Sequence, residues 1–111
     1  MEEEIIKEII KSGFEIRRIF EKDNEIIIDF KHKNIEEEEP IFFSSIEIDK
    51  EKNTISGTIR YRPRGDYASF EISEPFIIPH AYFKDRILSI TFRNFSKDRL
   101  DELLSSALTY S

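Results

Sequence analysis

Over residues 14–93 apolar and polar side chains alternate with a period of two, and a helical period occurs only at the two ends of the chain. That division allows few folds. Short strands that are polar on every second residue need one buried and one solvated face, which is the signature of an antiparallel sheet. The apolar residues agree: twenty Ile and ten Phe stand against five Leu and no Val. Such β-branched and aromatic side chains fit a half-buried pleated surface. The 111 residues suit a single domain, 1–111. A chain of this size buries roughly 60–70% of its unfolded surface, enough for a core without metal or disulfides.

The periodicity predicts a helix over residues 2–12, with Ile5, Ile6, Ile9 and Ile10 on one stripe. Glu2, Glu3 and Glu4 complement its dipole at the start, Lys11 does so at the end, and Gly13 is placed as a left-handed cap. Strands are expected over 14–20 (with Arg18 against the inward pattern), 25–31, 41–48, 54–62, 67–73 and 87–93. Their inward residues include Ile26, Ile28 and Phe30, then Phe42, Ser44, Ile46 and Ile48, and finally Leu88, Ile90 and Phe92. Residues 33–40 form a charged loop, and 63–66 form a Pro-Arg-Gly-Asp turn. Pro75 and Pro79 mark 76–78 as an edge or irregular segment, and a brief pairing is expected at 81–83. Ser96 then caps a second helix whose stripe is Leu100, Leu103, Leu104, Ala107 and Leu108. The expected fold is α+β: an antiparallel β-meander of six to seven strands with an N-terminal and a C-terminal amphipathic helix on one face. The other face would carry Ser45, Ser56, Thr58, Ser69, Ser89 and Thr91, with Glu47, Glu71, Arg60 and Arg93 among them.

Charge and composition narrow the function. A net charge of −6 disfavours general affinity for nucleic acid or anionic membranes. No apolar run nears the ~20 residues of a membrane span. Met1-Glu2-Glu3-Glu4 is the reverse of a secretory leader, so a cytoplasmic location is expected. Without Cys there is no disulfide, thiol nucleophile or cysteine-type zinc site. The absence of Gln and Trp, a single Met and 36% charged residues point to a thermophilic cell or its virus, although an AT-rich genome gives similar Ile and Lys usage.

Catalytic constellations are not visible. His32 lies between Lys31 and Lys33, whose charges depress its pKa and repel metal, and His80 is remote from it in sequence. Glu36-Glu37-Glu38-Glu39 lacks the alternation and the glycine of a calcium loop and reads as a solvated connector. The three glycines are too scattered for a phosphate cradle. No cofactor and no metal are therefore expected, and enzymatic activity is not. The local anomaly is Arg60-Tyr61-Arg62-Pro63-Arg64-Gly65-Asp66-Tyr67, three Arg and two Tyr at one hairpin end. Arg60, Arg62, Arg64, Tyr67, Arg93 and Phe43 are the expected partner-binding residues, because Arg and aromatic residues dominate interface hot spots. The plainer alternative pairs these Arg with Glu47 and Glu71 across strands. Ile19, Ile27, Phe43 and Ile87 are apolar residues expected on the polar face, where a cluster would mark an interface. Together these features indicate a non-enzymatic protein-interaction module (a small adaptor, inhibitor or accessory subunit) that binds another protein or a second copy of itself. The alternatives are a carrier with an apolar cavity between sheet and C-terminal helix, and nucleic-acid binding through the 60–67 hairpin.

Two family resemblances add alternatives. Ile46-Glu47-Ile48, Ile55-Ser56-Gly57 and Ala81-Tyr82-Phe83-Lys84-Asp85-Arg86-Ile87-Leu88-Ser89-Ile90 resemble the α-crystallin-type domain of small heat-shock proteins. That resemblance implies a β-sandwich chaperone. Arg86, however, stands where that family has Gly, the loop after Gly57 is short for its dimerising strand, and a helix replaces its I-x-I tail. A last helix after a long meander is similar to helix-grip proteins, which implies a curved sheet around an apolar ligand, but the two short helices after their first strand are not evident.

Overall fold

The computed structural model describes residues 2–62, 80–84 and 86–110, with backbone only for 80–84 and 106–110. The expected 63–66 turn and 67–73 strand, with Arg64 and Tyr67, lie outside the described residues, as does the 76–78 segment. The elements are α1 (Glu2–Lys11), β1 (Phe14–Lys22), β2 (Glu25–His32), β3 (Ser44–Asp49), β4 (Thr54–Tyr61), β5 (His80–Lys84), β6 (Ile87–Ser96) and α2 (Leu100–Tyr110). The strands form one antiparallel sheet in the order β1-β2-β3-β4-β6-β5. It is an α+β fold with an open sheet flanked by two helices, and β1 and β5 are its edges among the described residues.

Both helices contribute to one core, and the side chains of Ala107 and Leu108 lie outside the described residues. Ile5 and Ile9 of α1 and Leu100, Leu103 and Leu104 of α2 join Ile26, Ile28, Phe30, Ile46, Ile48, Ile55, Ile59, Tyr61, Leu88, Ile90 and Phe92 from the strands. Cross-strand register explains why they meet: Ile28 faces Ile46, Ile48 faces Ile55, Ile59 faces Ile90, and Tyr61 faces Leu88. A simple succession of strands would set β5 beside β4. Instead β6 takes that place, since it offers Leu88, Ile90 and Phe92 to Tyr61, Ile59 and Gly57. Arg86, at φ 66°, makes the turn that leaves β5 on the outside.

Three local details depart from the sequence expectation. Residues 41–43 are not strand, because Pro40 opens a 3-10 turn, Pro40–Phe42, in which Phe43 N–H donates to the Pro40 carbonyl at 3.0 Å. Ile10 does not share the burial of Ile5 and Ile9. Two sheet-facing residues four apart already fill a helix of this length, and Ile10 is turned away from them. The third is the interruption at Arg18. The β1–β2 register shifts between Ile16 and Arg18, so that Ile16 faces Phe30, Arg18 faces Asp29 and Ile19 faces Ile28. The extra residue of this bulge moves Ile19 onto the helix-covered side and Arg18 and Phe20 onto the other.

Turn chemistry fits the sequence well. Asp23 and Asn53 take positive φ, 54° and 61°, in the β1–β2 and β3–β4 turns. Gly13, at φ 92°, reverses the chain from α1 into β1, and its carbonyl accepts the Lys33 N–H at 3.1 Å. Ser96 Oγ accepts the Asp98 N–H ahead of α2, as an N-cap should. No helix among the described residues is long and apolar enough to cross a membrane.

At Gly57 the backbones of β3 and β4 leave no room for a side chain. The glycine's φ is 155°, and a Cβ built there would lie 2.0 Å from the backbone oxygen of Ser45, far inside contact distance. Only backbone movement between β3 and β4 could relieve that overlap. Gly57→Ala is therefore expected to destabilise the fold by about 3 kcal/mol or more, read as a lowered midpoint in chemical denaturation.

Candidate interaction surfaces

The helices leave the second face of the sheet open among the described residues. Register aligns a polar row across it: Arg18, Asp29, Ser45, Thr58 and Thr91. Arg18 pairs with Asp29 at 3.0 Å, and the Thr58 and Thr91 hydroxyls are 3.2 Å apart. Ser45, Glu47, Ser56, Thr58, Thr91 and Asn94 help line an open groove of about 440 Å³, with Arg60 and Arg93 at its sides. Its hydroxyls and charges make it a hydrated polar surface, as the alternation implied.

The expected partner-binding residues divide on this face. Arg60 and Arg93 both border the groove, but Arg60 Nη1 donates to the Phe43 carbonyl at 2.7 Å, which ties it to the start of β3. Phe43 is half-buried. Arg62 makes a two-pronged contact with Glu37, at 3.2 and 3.0 Å, and Nη1 also reaches the Asn34 carbonyl. Neither Arg60 nor Arg62 pairs with Glu47. Arg93 is exposed, and Arg64 and Tyr67 are outside the described residues.

Glu37 and Glu38 show that the acidic run is not a free connector. Glu38 receives Lys31 Nζ at 2.6 Å and Arg17 at 3.2 and 3.3 Å, and Arg17 also contacts Glu15. The loop thus straps the ends of β1, β2 and β4 together, with Ile35 buried beneath it as an anchor. Lys31 is nearly buried, and Glu38 supplies the carboxylate that meets its ammonium group. The hydrogen bond from Lys31, followed by that from Arg17, holds the Glu38 carboxyl below its usual range. Arg62 does the same to Glu37. Sequence alone shows the four Glu but not their partners, which come from β1, β2 and the residue after β4.

Four large apolar side chains are exposed among the described residues: Ile10 (56%), Ile19 (42%), Phe20 (37%) and Ile41 (74%). Three of them belong to α1 and β1. Of the four apolar residues expected on the polar face, Ile27 and Phe43 are half-buried, Ile87 is buried, and Ile19 has crossed to the helix side through the bulge. Phe20 takes its place beside Ile27, with the Arg18 guanidinium 4.8 Å from its ring. Phe20 was missed as an outward residue. The signal for it is the pair Arg17-Arg18 between Ile16 and Ile19, two polar residues where alternation allows one.

His32 is fully buried on the core side, 5.1 Å from the Phe14 ring and 5.7 Å from that of Tyr61. Nδ1 accepts the Asn34 N–H at 3.3 Å, and Nε2 has no hydrogen-bond partner among the described residues. Burial, then the Lys33 charge, pushes its pKa down to about 4. The depression anticipated from its lysine neighbours is present, but burial is the larger cause. No group of three or more metal-ligating residues occurs among the described residues.

Fold and surface define a class, a small α+β protein that has, among the described residues, one open sheet face and a free edge strand. Comparison with known proteins takes the assignment no further: no family model, no curated protein and no solved structure matches the chain.

Two stability predictions separate by pH. His32 binds its proton more readily in the unfolded chain, so stability is full above pH 6.5 and falls as the pH drops toward 4, by about 3 kcal/mol in all. His32→Phe should flatten urea-unfolding stability across that window. Glu37 and Glu38, whose folded pKa values are lowered, contribute stability that is present above their ordinary pKa and lost as pH falls below it. Glu37→Gln with Glu38→Gln should lower Tm at neutral pH and low salt, and the difference from the parent should shrink in high salt.

Proposed function

We propose that this chain is a non-enzymatic protein-interaction module, a small adaptor, inhibitor or accessory subunit, that binds protein through the β1 edge. The observation that carries the reading is a strand edge left unpaired among the described residues, with exposed Ile19 and Phe20 on its two faces. Edge strands offer free backbone N–H and C=O groups, and soluble proteins usually blunt them with charge or cover them. Here the half of β1 beyond the bulge keeps two large apolar residues between Arg18 and Glu21. An added strand would satisfy the backbone and cover the side chains together.

The other readings find less support. A carrier needs an enclosed apolar cavity under the C-terminal helix. The cleft between α1 and α2, about 290 Å³, is open and lined by Glu4, Glu8, Lys97, Asp98 and Asp101 with Ile5 and Leu100, while Leu103 and Leu104 are buried. Nucleic-acid binding would draw on Arg60 and Arg62, which already have internal partners, in a chain of charge −6. The strap of ion pairs favours a protein adapted to heat, where such networks gain weight.

The test compares the parent with Ile19→Lys combined with Phe20→Lys, both at exposed positions. The variant should keep the parent's unfolding free energy within about 1 kcal/mol. It should lose the complexes that the parent forms, whether with itself in sedimentation or with a protein captured from its own lysate. Complexes that survive the double substitution, or a parent that stays monomeric and captures nothing, would overturn the proposal.

A further inference from the structure

We infer that the protein seated on the β1 edge is a second copy of this chain, paired antiparallel about a two-fold axis at Ile19. The inference rests on the edge-strand reading above and adds the partner and its register. When two identical strands pair antiparallel in a continuous sheet, the axis stands perpendicular to the sheet and like faces lie side by side. An axis at one residue sets that residue opposite itself, and the residues before and after it opposite each other. Axes between residues are excluded, because they would set helix-side residues against outward ones.

The exposed half of β1, Arg18 to Lys22, leaves five such axes. One at Arg18 sets Arg18 against Arg18 of the partner subunit. One at Phe20 sets Arg18 against the partner's Lys22. Axes at Glu21 and Lys22 set each of those charges against its own copy. Like charges directly opposite are destabilising. Only the axis at Ile19 avoids them. It sets Ile19 against the partner's Ile19 on the helix side, where the half-buried Ile16 already continues the core. On the outward side it sets Arg18 against the partner's Phe20. That is the same guanidinium-to-ring contact that Arg18 makes within its own strand at 4.8 Å. Both exposed apolar residues of the edge are then covered by one operation. Beyond them the bulge at Arg17 ends regular pairing, which confines the contact to a short ladder.

The absence of cysteine makes the register directly measurable. Residues directly opposite in an antiparallel pair have Cα atoms about 4.5–5.5 Å apart, inside the disulfide range of about 4.4–6.8 Å. Diagonal neighbours are about 7–8 Å apart, outside it. Ile19→Cys should therefore oxidise to a covalent dimer under mild oxidant, and Phe20→Cys should do so at least about tenfold more slowly. The parent should sediment as a reversible dimer that Ile19→Lys converts to monomer. Cross-linking as fast at position 20 as at 19 would overturn the register and the inference with it. A parent that is monomeric, yet captures a different protein in a manner sensitive to Ile19→Lys, would overturn the second copy and leave the edge reading standing. A monomer that captures nothing would overturn both.

Discussion

Burial on one side of one sheet is the constraint from which the rest of this molecule follows. Every strand that supplies Ile or Phe to the core supplies it on the same face, and α1 and α2 both dock there. Neither helix is long enough to be stable alone in water, so their existence depends on that shared surface. The arrangement is economical in residues but leaves the second face without a covering layer among those described. Its backbone is satisfied by the strand ladders. Its side chains must satisfy one another or water, and they do so through hydroxyls, arginines and carboxylates.

The acidic strap is the consequence on that second face. Arg17 comes from β1, Lys31 from β2 and Arg62 from the residue after β4, and the loop between β2 and β3 brings Glu37 and Glu38 to all of them. An isolated surface ion pair contributes little. This case differs because Lys31 is nearly buried, so removing its carboxylate would leave a desolvated charge. The strap also accounts for two arginines that look free in the sequence. Arg62 is held by Glu37, and Arg60 by the Phe43 carbonyl where the strap ends. Arginines near a hairpin end here brace the loop that crosses beside them.

How much of this the sequence discloses depends on the range of each interaction. Local periodicity exposes the two helices, the inward residues of β2, β3, β4 and β6, and the Ser96 cap, because each is decided within one or two turns of chain. Non-local features stay hidden. The exchange of β5 and β6 depends on which strand best matches Tyr61 and Ile59, a comparison of surfaces rather than of neighbours. The partners of Glu37 and Glu38 lie up to twenty-five residues away. His32 is a mixed case, in which sequence shows the adjacent lysines but only the fold shows that its ring sits between Phe14 and Tyr61. For the binding surface, the Arg-rich anomaly was legible and the β1 edge was not, since edge status is a property of the whole sheet.

The bulge at Arg17 connects these levels. Without the extra residue, Ile16 and Arg18 would share the core side, and a charge would face the helices. With it, Arg18 reaches Asp29, Arg17 reaches Glu38, and Ile19 returns to the apolar side. Bulges bend a strand and end regular pairing, one of the devices by which edges are kept from unlimited growth. On β1 the bulge occupies the first half of the edge, and Ile19 and Phe20 follow it. A strand arriving there would find a ladder open on one side of Arg17 and interrupted on the other. That geometry favours a short, closed contact between two molecules over an extended run of added strands. The same insertion that rescues the core pattern of β1 therefore also limits what its edge can bind.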